Sequence, residues 1–246
     1  MTLMTDLLSK AKVVFRDGSM GDELAVCAYC CVPSDKVKKL LRAPLAMLSR
    51  EDIYAYLDAA QVMDDSILIR QMKYLLPRIL ELMVEGVDLR HSTEITLDKC
   101  YFDRAAWTVK EREFMQRFAL AYFETQFETD RPQIVAEVVL MFHLAGLDVS
   151  HLLSHWLLCL NRYRPYALCG LVELLSDIDI TGRCSNAFSN AAFSRKLTQW
   201  LSDSQTRLQI VDAIVGQLDA YEAAGLDMWL CEVAFCWLTE WDVQDE

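Results

Sequence analysis

Residues 203–225 read DSQTRLQIVDAIVGQLDAYEAAG, and this stretch decides the fold class. Asp203 is a residue type that caps helix N-termini, and Gly225 is the residue type that most often ends helices. The residues between them predict a helix over 204–224. Comparable signals predict five further helices in this half, at about 131–145, 148–162, 165–176, 189–201 and 226–241, with Asp130, Asp148 and Gly146 as additional end signals. Connections of two to four residues make neighbouring helices antiparallel, so a stacked, HEAT-like arrangement of antiparallel pairs is expected.

The first half carries helix-start signals of the same kind. Ser49 followed by Asp52, and Thr108 followed by Glu111, are capping-box patterns. Pro77 predicts a division of 64–84 into two helices, because proline suits the first turn of a new helix. Glycine and proline together number only 13, against the many turn residues that a sheet protein needs.

The predicted fold class is therefore all-α, with ten to twelve helices in one continuous body. We expect residues 1–246 to form a single domain. The alternative is a division into an N-terminal helical lobe, 1–106, and a HEAT-like lobe, 107–246. Residues 177–188 are rich in Asp, Ser and Asn, and they form the one long loop that the sequence predicts in the second half.

The charge balance is acidic and uneven. The chain has 24 basic and 36 acidic side chains, a net charge of −12, which argues against nucleic acid and anionic membranes as partners. Residues 201–246 hold ten acids and one base, Arg207. Such an asymmetry produces a directed field that steers partners of opposite charge. A positively charged protein partner is therefore expected.

The sequence indicates a cytoplasmic location. Residues 1–11 lack the basic start and apolar core of a secretory signal, and the most apolar window, 134–147, is interrupted by Glu137 and His143. Nine cysteines is an odd number, and several lie within apolar helical patterns. Reduced thiols in the cytoplasm are the expected state.

Two groups of residues have metal-ligand chemistry. Cys27, Cys30 and Cys31 lie close in sequence, but no second pair follows at the spacing that tetrahedral zinc requires. His151, His155 and Cys159 lie four residues apart, which places them on one side of a helix. A zinc hydrolase places glutamate directly after its first histidine, and Leu152 is there instead. We predict no metal and no cofactor.

No catalytic motif is present. The chain lacks a G-x-S-x-G elbow, a P-loop and a G-x-G-x-x-G turn, and the loop that holds Asp177, Asp179 and Arg183 is interpreted as a solvated turn. The protein is therefore not expected to be an enzyme. A metal-dependent enzyme that uses His151 and His155 with Cys159 stays as an alternative.

Several segments between residues 27 and 111 carry a resemblance to known proteins. They are Cys27-x-x-Cys30, Ala43-Pro44-Leu45, Leu48-Ser49, Tyr56, Leu76-Pro77-Arg78-Ile79-Leu80-Glu81-Leu82, Trp107 and Glu111. This pattern resembles a widespread set of uncharacterised bacterial proteins, some of which are similar to immunity proteins of polymorphic toxins. The resemblance implies an immunity protein that neutralises a secreted interbacterial toxin. The acidic charge of the chain predicts that this toxin has a basic surface. We expect a monomer that forms a 1:1 complex. The rival interpretation is a helical adaptor or regulator that binds a peptide or protein in a concave groove.

The C-terminal acids locate the predicted binding surface. Asp212 and Asp219 lie seven residues apart, so they share one side of a helix, and a carboxylate at Asp227 suits a helix start. Acids at the C-terminus of the last predicted helix are disfavoured by the helix dipole. Trp237 and Trp241 lie beside these acids in the sequence and are candidate aromatic anchors for a partner. The predicted partner-binding residues are Asp212, Asp219, Glu222, Asp227, Glu240, Trp241 and Asp242.

Overall fold

The computed structural model describes residues 3–128, 134–163, 165–179 and 181–240. Over these residues the chain forms eleven α-helices and four short 3₁₀ turns. The helices are α1 Leu3–Val14, α2 Ser34–Arg42, α3 Arg50–Asp58, α4 Asp65–Val84, α5 Val109–Thr125, α6 Ile134–Leu144, α7 Ser150–Arg162, α8 Tyr166–Ser176, α9 Ala191–Ser202, α10 Ser204–Ala223 and α11 Met228–Thr239. The described part contains two isolated β-bridges and no strand. The all-α prediction is confirmed.

The chain separates into two compact units. Unit 1 comprises Met1–Tyr122 with Leu144–Leu147, and unit 2 comprises Phe123–His143 with Asp148–Glu246. None of the helices in the described ranges is both long enough and apolar enough to cross a bilayer.

Helix ends follow the local signals in the sequence. The Asp203 carboxylate accepts hydrogen bonds from the backbone N–H groups of Gln205 and Thr206, which caps α10. Gly146 and Gly225 have φ of +87° and +68°, the left-handed conformation that ends helices. Both capping boxes are present, at Ser49 with Asp52 and at Thr108 with Glu111. Asp130, the remaining predicted cap, lies outside the described residues.

The predicted division at Pro77 is wrong, because α4 runs without interruption from Asp65 to Val84. A proline inside a helix removes one backbone hydrogen bond and costs about 3 kcal/mol. Leu75, Leu76 and Ile79 are fully buried around it, and burial of such side chains offsets this cost. Gly18 packs directly against the backbone of α4, about one turn N-terminal to Pro77. A Cβ added at Gly18 would lie 2.2 Å from the backbone nitrogen of Tyr74. Tertiary packing therefore keeps the helix continuous.

A buried glutamine organises the start of unit 1. The Gln71 amide donates to the backbone carbonyls of Met20 and Glu23. Its carbonyl oxygen accepts from the backbone N–H of Ala25 and from the Tyr56 hydroxyl, both at 2.8 Å. Because every polar atom of this amide is paired, a loop without regular structure is held against α4 inside the core.

A buried ion pair joins α4 to the start of α5. Lys73 Nζ lies 2.8 Å from Glu111 Oε2, and the two side chains are 13% and 6% exposed. The same carboxylate accepts from the backbone N–H of Thr108 as part of the capping box, at 2.7 Å. Lys73 also donates to the carbonyl of Ala106. One carboxylate therefore caps α5 and attaches it to α4.

We predict that Glu111→Gln lowers the free energy of unfolding by about 3 kcal/mol, since removal of one partner leaves the buried Lys73 charge without its counter-ion. Glutamine also forms a capping box, so the loss of unfolding free energy measures mainly the removal of the Glu111 charge. Glu113→Gln is the matched control, because Glu113 is exposed on the same helix, and we expect a change within about 0.5 kcal/mol. Urea denaturation measures both variants. A loss below about 1 kcal/mol in Glu111→Gln would contradict the assigned role.

Unit 2 is built from antiparallel helices around α10. Consecutive helices α7 and α8, α9 and α10, and α10 and α11 contact each other, as the short connections predict. The helix α10 also contacts α7 and α8, and α8 contacts α11. The side of α10 that faces these neighbours is therefore committed to the core.

Candidate functional site

One side of α10 is buried and the opposite side is open to solvent. The buried side consists of Thr206, Ile210, Ala213, Ile214, Gln217 and Tyr221. Within it, the Gln217 amide donates to the buried backbone carbonyl of Leu160 at 2.8 Å. These positions repeat every three or four residues, which is the spacing of one helix side. The acids of α10 occupy the other side.

The exposed side of α10 mixes acids with apolar residues. Leu208 and Val215 are 53% and 59% exposed. Asp212, Asp219 and Glu222 are exposed between and beyond them. Successive members are four, three, four and three residues apart, so all five lie in one row along the helix. We call Leu208, Asp212, Val215, Asp219 and Glu222 the α10 row.

A second row follows on the neighbouring helix. Trp229 is 63% exposed, and Val233 is 36% exposed one turn later. Glu232, Cys236 and Glu240 are exposed at matching positions. We call Trp229, Glu232, Val233, Cys236 and Glu240 the α11 row. Asp227 begins this helix, and its carboxylate accepts a hydrogen bond from the backbone N–H of Trp229 at 2.9 Å.

Within the part of the chain that the structure describes, the two rows lack a cationic partner. The one base of the C-terminal region, Arg207, donates to the backbone carbonyls of Leu201 and Ser202 at 2.6 and 2.9 Å. In the described ranges, every ion pair found lies N-terminal to residue 197, the last being Lys196 with Asp148. Among the described residues, no cation forms an ion pair with the carboxylates of the α10 and α11 rows, so their field extends outward.

The structure places most of the predicted binding residues on this helix pair. Asp212, Asp219 and Glu222 share the α10 row, Glu240 ends the α11 row, and Asp227 caps α11. Trp241 and Asp242 lie outside the described residues. Trp229 is an exposed aromatic residue of α11 that the sequence-based prediction did not include. The buried residues of α11 are Cys231, Ala234 and Leu238, and this periodicity places Trp229 on the opposite side.

The alternative metal site at His151, His155 and Cys159 does not assemble. Across the described residues, the group whose three ligand atoms all lie within 4.8 Å of one another is Cys27, Cys30 and Cys31. The His155 Nε2 atom lies 3.7 Å from a carboxylate oxygen of Glu124. Burial raises the pKa of the Cys159 thiol to about 11, which disfavours its thiolate form.

Unit 2 also contains a polar groove beside the 177–190 loop. Its volume is about 1220 Å³, and its lining includes Arg183, Asn186, Arg195, Thr198 and Gln199. The Asp179 carboxylate accepts hydrogen bonds from the backbone N–H groups of Thr181 and Arg183, at 2.8 and 3.0 Å. Asp179 thus organises an exposed turn, as the sequence predicted, and this turn forms part of the groove wall.

Comparison of the chain with protein-family models, with curated proteins and with solved structures found no match.

We predict that Trp229→Ala changes the free energy of unfolding by no more than about 0.5 kcal/mol, because this side chain is exposed. Leu238→Ala in the same helix is the matched comparison, since Leu238 is 3% exposed, and we expect a loss of about 3 kcal/mol. Thermal or urea unfolding measures the pair. A loss above about 2 kcal/mol for Trp229→Ala would place Trp229 in the core and remove it from the binding surface.

Proposed function

We propose that this protein is an immunity protein that binds a bacterial toxin with a basic surface and neutralises it by occlusion. The observation that carries the proposal is the pair of acidic rows on α10 and α11, whose carboxylates have no cationic partner within the described chain. The proposed partner is a secreted interbacterial toxin, and the proposed complex is 1:1. No catalytic role and no cofactor is assigned to the chain.

The charged and the apolar side chains of the two rows contribute differently to the proposed binding. Acids on the two rows attract a basic surface from a distance and raise the association rate. Trp229, Leu208 and Val215 then supply the area that a stable complex removes from water, and tryptophan is among the residues that contribute most binding energy at interfaces. A toxin that acts on nucleic acid or nucleotides offers a basic cleft of the kind that such a surface covers.

The proposed location is the cytoplasm, where a cell needs protection from an incoming toxin. All nine cysteines are free thiols, including the exposed Cys30, Cys31 and Cys236. Free exposed thiols persist in a reducing compartment, which supports this location.

The direct test of the proposal is co-expression with the gene immediately upstream. We expect the upstream product to arrest growth alone, survival to return when both are expressed, and the two proteins to co-purify at equal stoichiometry. The double variant Asp212→Lys and Asp219→Lys should lose much of the protection. An upstream product that is harmless, or that does not co-purify, contradicts the immunity role.

Association kinetics locate the interface. Asp212→Lys with Asp219→Lys should slow association at least about tenfold at low salt and flatten the salt dependence, because both changes lie on the α10 row. Asp22→Lys with Glu23→Lys is the matched control, since these exposed acids of unit 1 give the same change in net charge. Circular dichroism checks that both variants fold. Equal slowing in the two variants would show that net charge, and not the α10 row, governs association.

The polar groove favours a second candidate function, a helical adaptor that binds a peptide. Arg183 and Arg195 are exposed on the groove wall, so the groove suits an acidic or polar peptide and not a basic surface. Arg183→Glu with Arg195→Glu distinguishes the two candidates in the same assay. The immunity proposal expects partner binding to survive this change, whereas the adaptor interpretation expects it to be lost.

A further inference from the structure

Three thiols meet in an exposed turn of unit 1 that the proposed function does not use. Cys27, Cys30 and Cys31 lie in the connection between the bridge at Val26 and the start of α2. Cys30 and Cys31 are exposed and Cys27 is half-buried. The six other cysteines of the chain include five buried ones. The turn is therefore chemically distinct from the core thiols.

Both ends of this turn are anchored. Val26 pairs with Gln61 in an antiparallel bridge, and the Cys27 backbone N–H donates to the Ala60 carbonyl at 2.7 Å. On the other side, Val32 is 4% exposed and Pro33 precedes the first turn of α2. Because both ends are held, the backbone of the turn keeps the three cysteines close together.

The distances between the sulfur atoms are close to those that a single metal ion requires. Cys27 Sγ lies 3.3 Å from Cys30 Sγ, which lies 3.6 Å from Cys31 Sγ. All three sulfurs are within 4.8 Å of one another. A zinc–sulfur bond of about 2.3 Å places the sulfurs of a common ion about 3.8–4.0 Å apart, so small rotations of the side chains complete the site. The third ligand, Cys31, is what a simple C-x-x-C pair lacks.

Thiol ligands bind a metal ion as thiolates. Uptake of an ion therefore displaces the proton that lies between the Cys27 and Cys30 sulfurs, which are 3.3 Å apart.

We propose that Cys27, Cys30 and Cys31 bind one soft metal ion with a filled d shell, either Zn²⁺ or Cu⁺. Thiolate ligands select these ions over harder cations such as Mg²⁺ or Ca²⁺. Zinc takes water or a partner's side chain in its fourth position, which is open because no other described His, Cys, Asp or Glu joins the group. Copper(I) is satisfied by the three thiolates alone. A sequence search for two C-x-x-C pairs overlooks a site of this composition.

The test uses the full-length protein, reduced and metal-free, titrated separately with Zn²⁺ and with Cu⁺ against a competing chelator. We expect one equivalent of at least one ion to bind. The variants Cys27→Ser, Cys30→Ser and Cys31→Ser should each weaken binding more than about 100-fold, since loss of a direct ligand exceeds the effect of losing its supporting contacts. Cys236→Ser is the matched control, because Cys236 is an exposed cysteine outside the group and should bind as wild type does.

Circular dichroism of each variant separates loss of a ligand from loss of the fold. The proposal is overturned if neither ion binds, or if binding persists in all three variants. A further result would also overturn it: the reduced protein binds no ion, and mild oxidation forms a stoichiometric Cys27–Cys30 disulfide. That result would indicate that the turn takes part in thiol–disulfide exchange. Growth protection plays no part in this readout, so the result is independent of the proposed immunity function.

Discussion

Unit 2 depends on the burial of one side of α10. That side contacts α7, α8, α9 and α11, and it includes the fully buried ring of Tyr221 and the amide of Gln217, which is paired with the Leu160 carbonyl. A carboxylate on this side would lose its hydration without gaining a cation, at a cost of several kcal/mol. The acids of the helix are therefore confined to the side that faces solvent.

This constraint has an electrostatic consequence that links the fold to the proposed function. Asp212, Asp219 and Glu222 are held in one row, and Glu222 and Glu240 lie near helix C-termini, where an exposed negative charge is disfavoured by roughly 0.3–1 kcal/mol. The only base of the region, Arg207, is directed to backbone carbonyls. The crowded carboxylates are unfavourable in the free protein, and a basic partner relieves them. The same arrangement provides attraction at a distance and apolar area at contact.

Local chemistry accounts for what could be predicted from sequence. Caps such as Asp203, stops such as Gly225 and the helical spacing of the acids predicted the helices of unit 2 and the shared row of Asp212, Asp219 and Glu222. Long-range packing accounts for what could not. The continuity of α4 through Pro77 depends on buried neighbours and on the close approach of Gly18, which is distant in sequence. The exposure of Trp229 and the approach of Cys31 to Cys27 depend on three-dimensional arrangement, and composition does not reveal it.

Carboxylate footprinting of the complex with the upstream gene product tests the central claim most directly. The protein is treated with a carbodiimide and an amine, alone and in the complex, and the modified side chains are identified by mass spectrometry. The account predicts that Asp212, Asp219 and Glu222 react in the free protein and are protected in the complex. It predicts that Asp22 and Glu23, exposed in unit 1, react equally in both. Full reactivity of the α10 row in a stoichiometric complex would contradict the account.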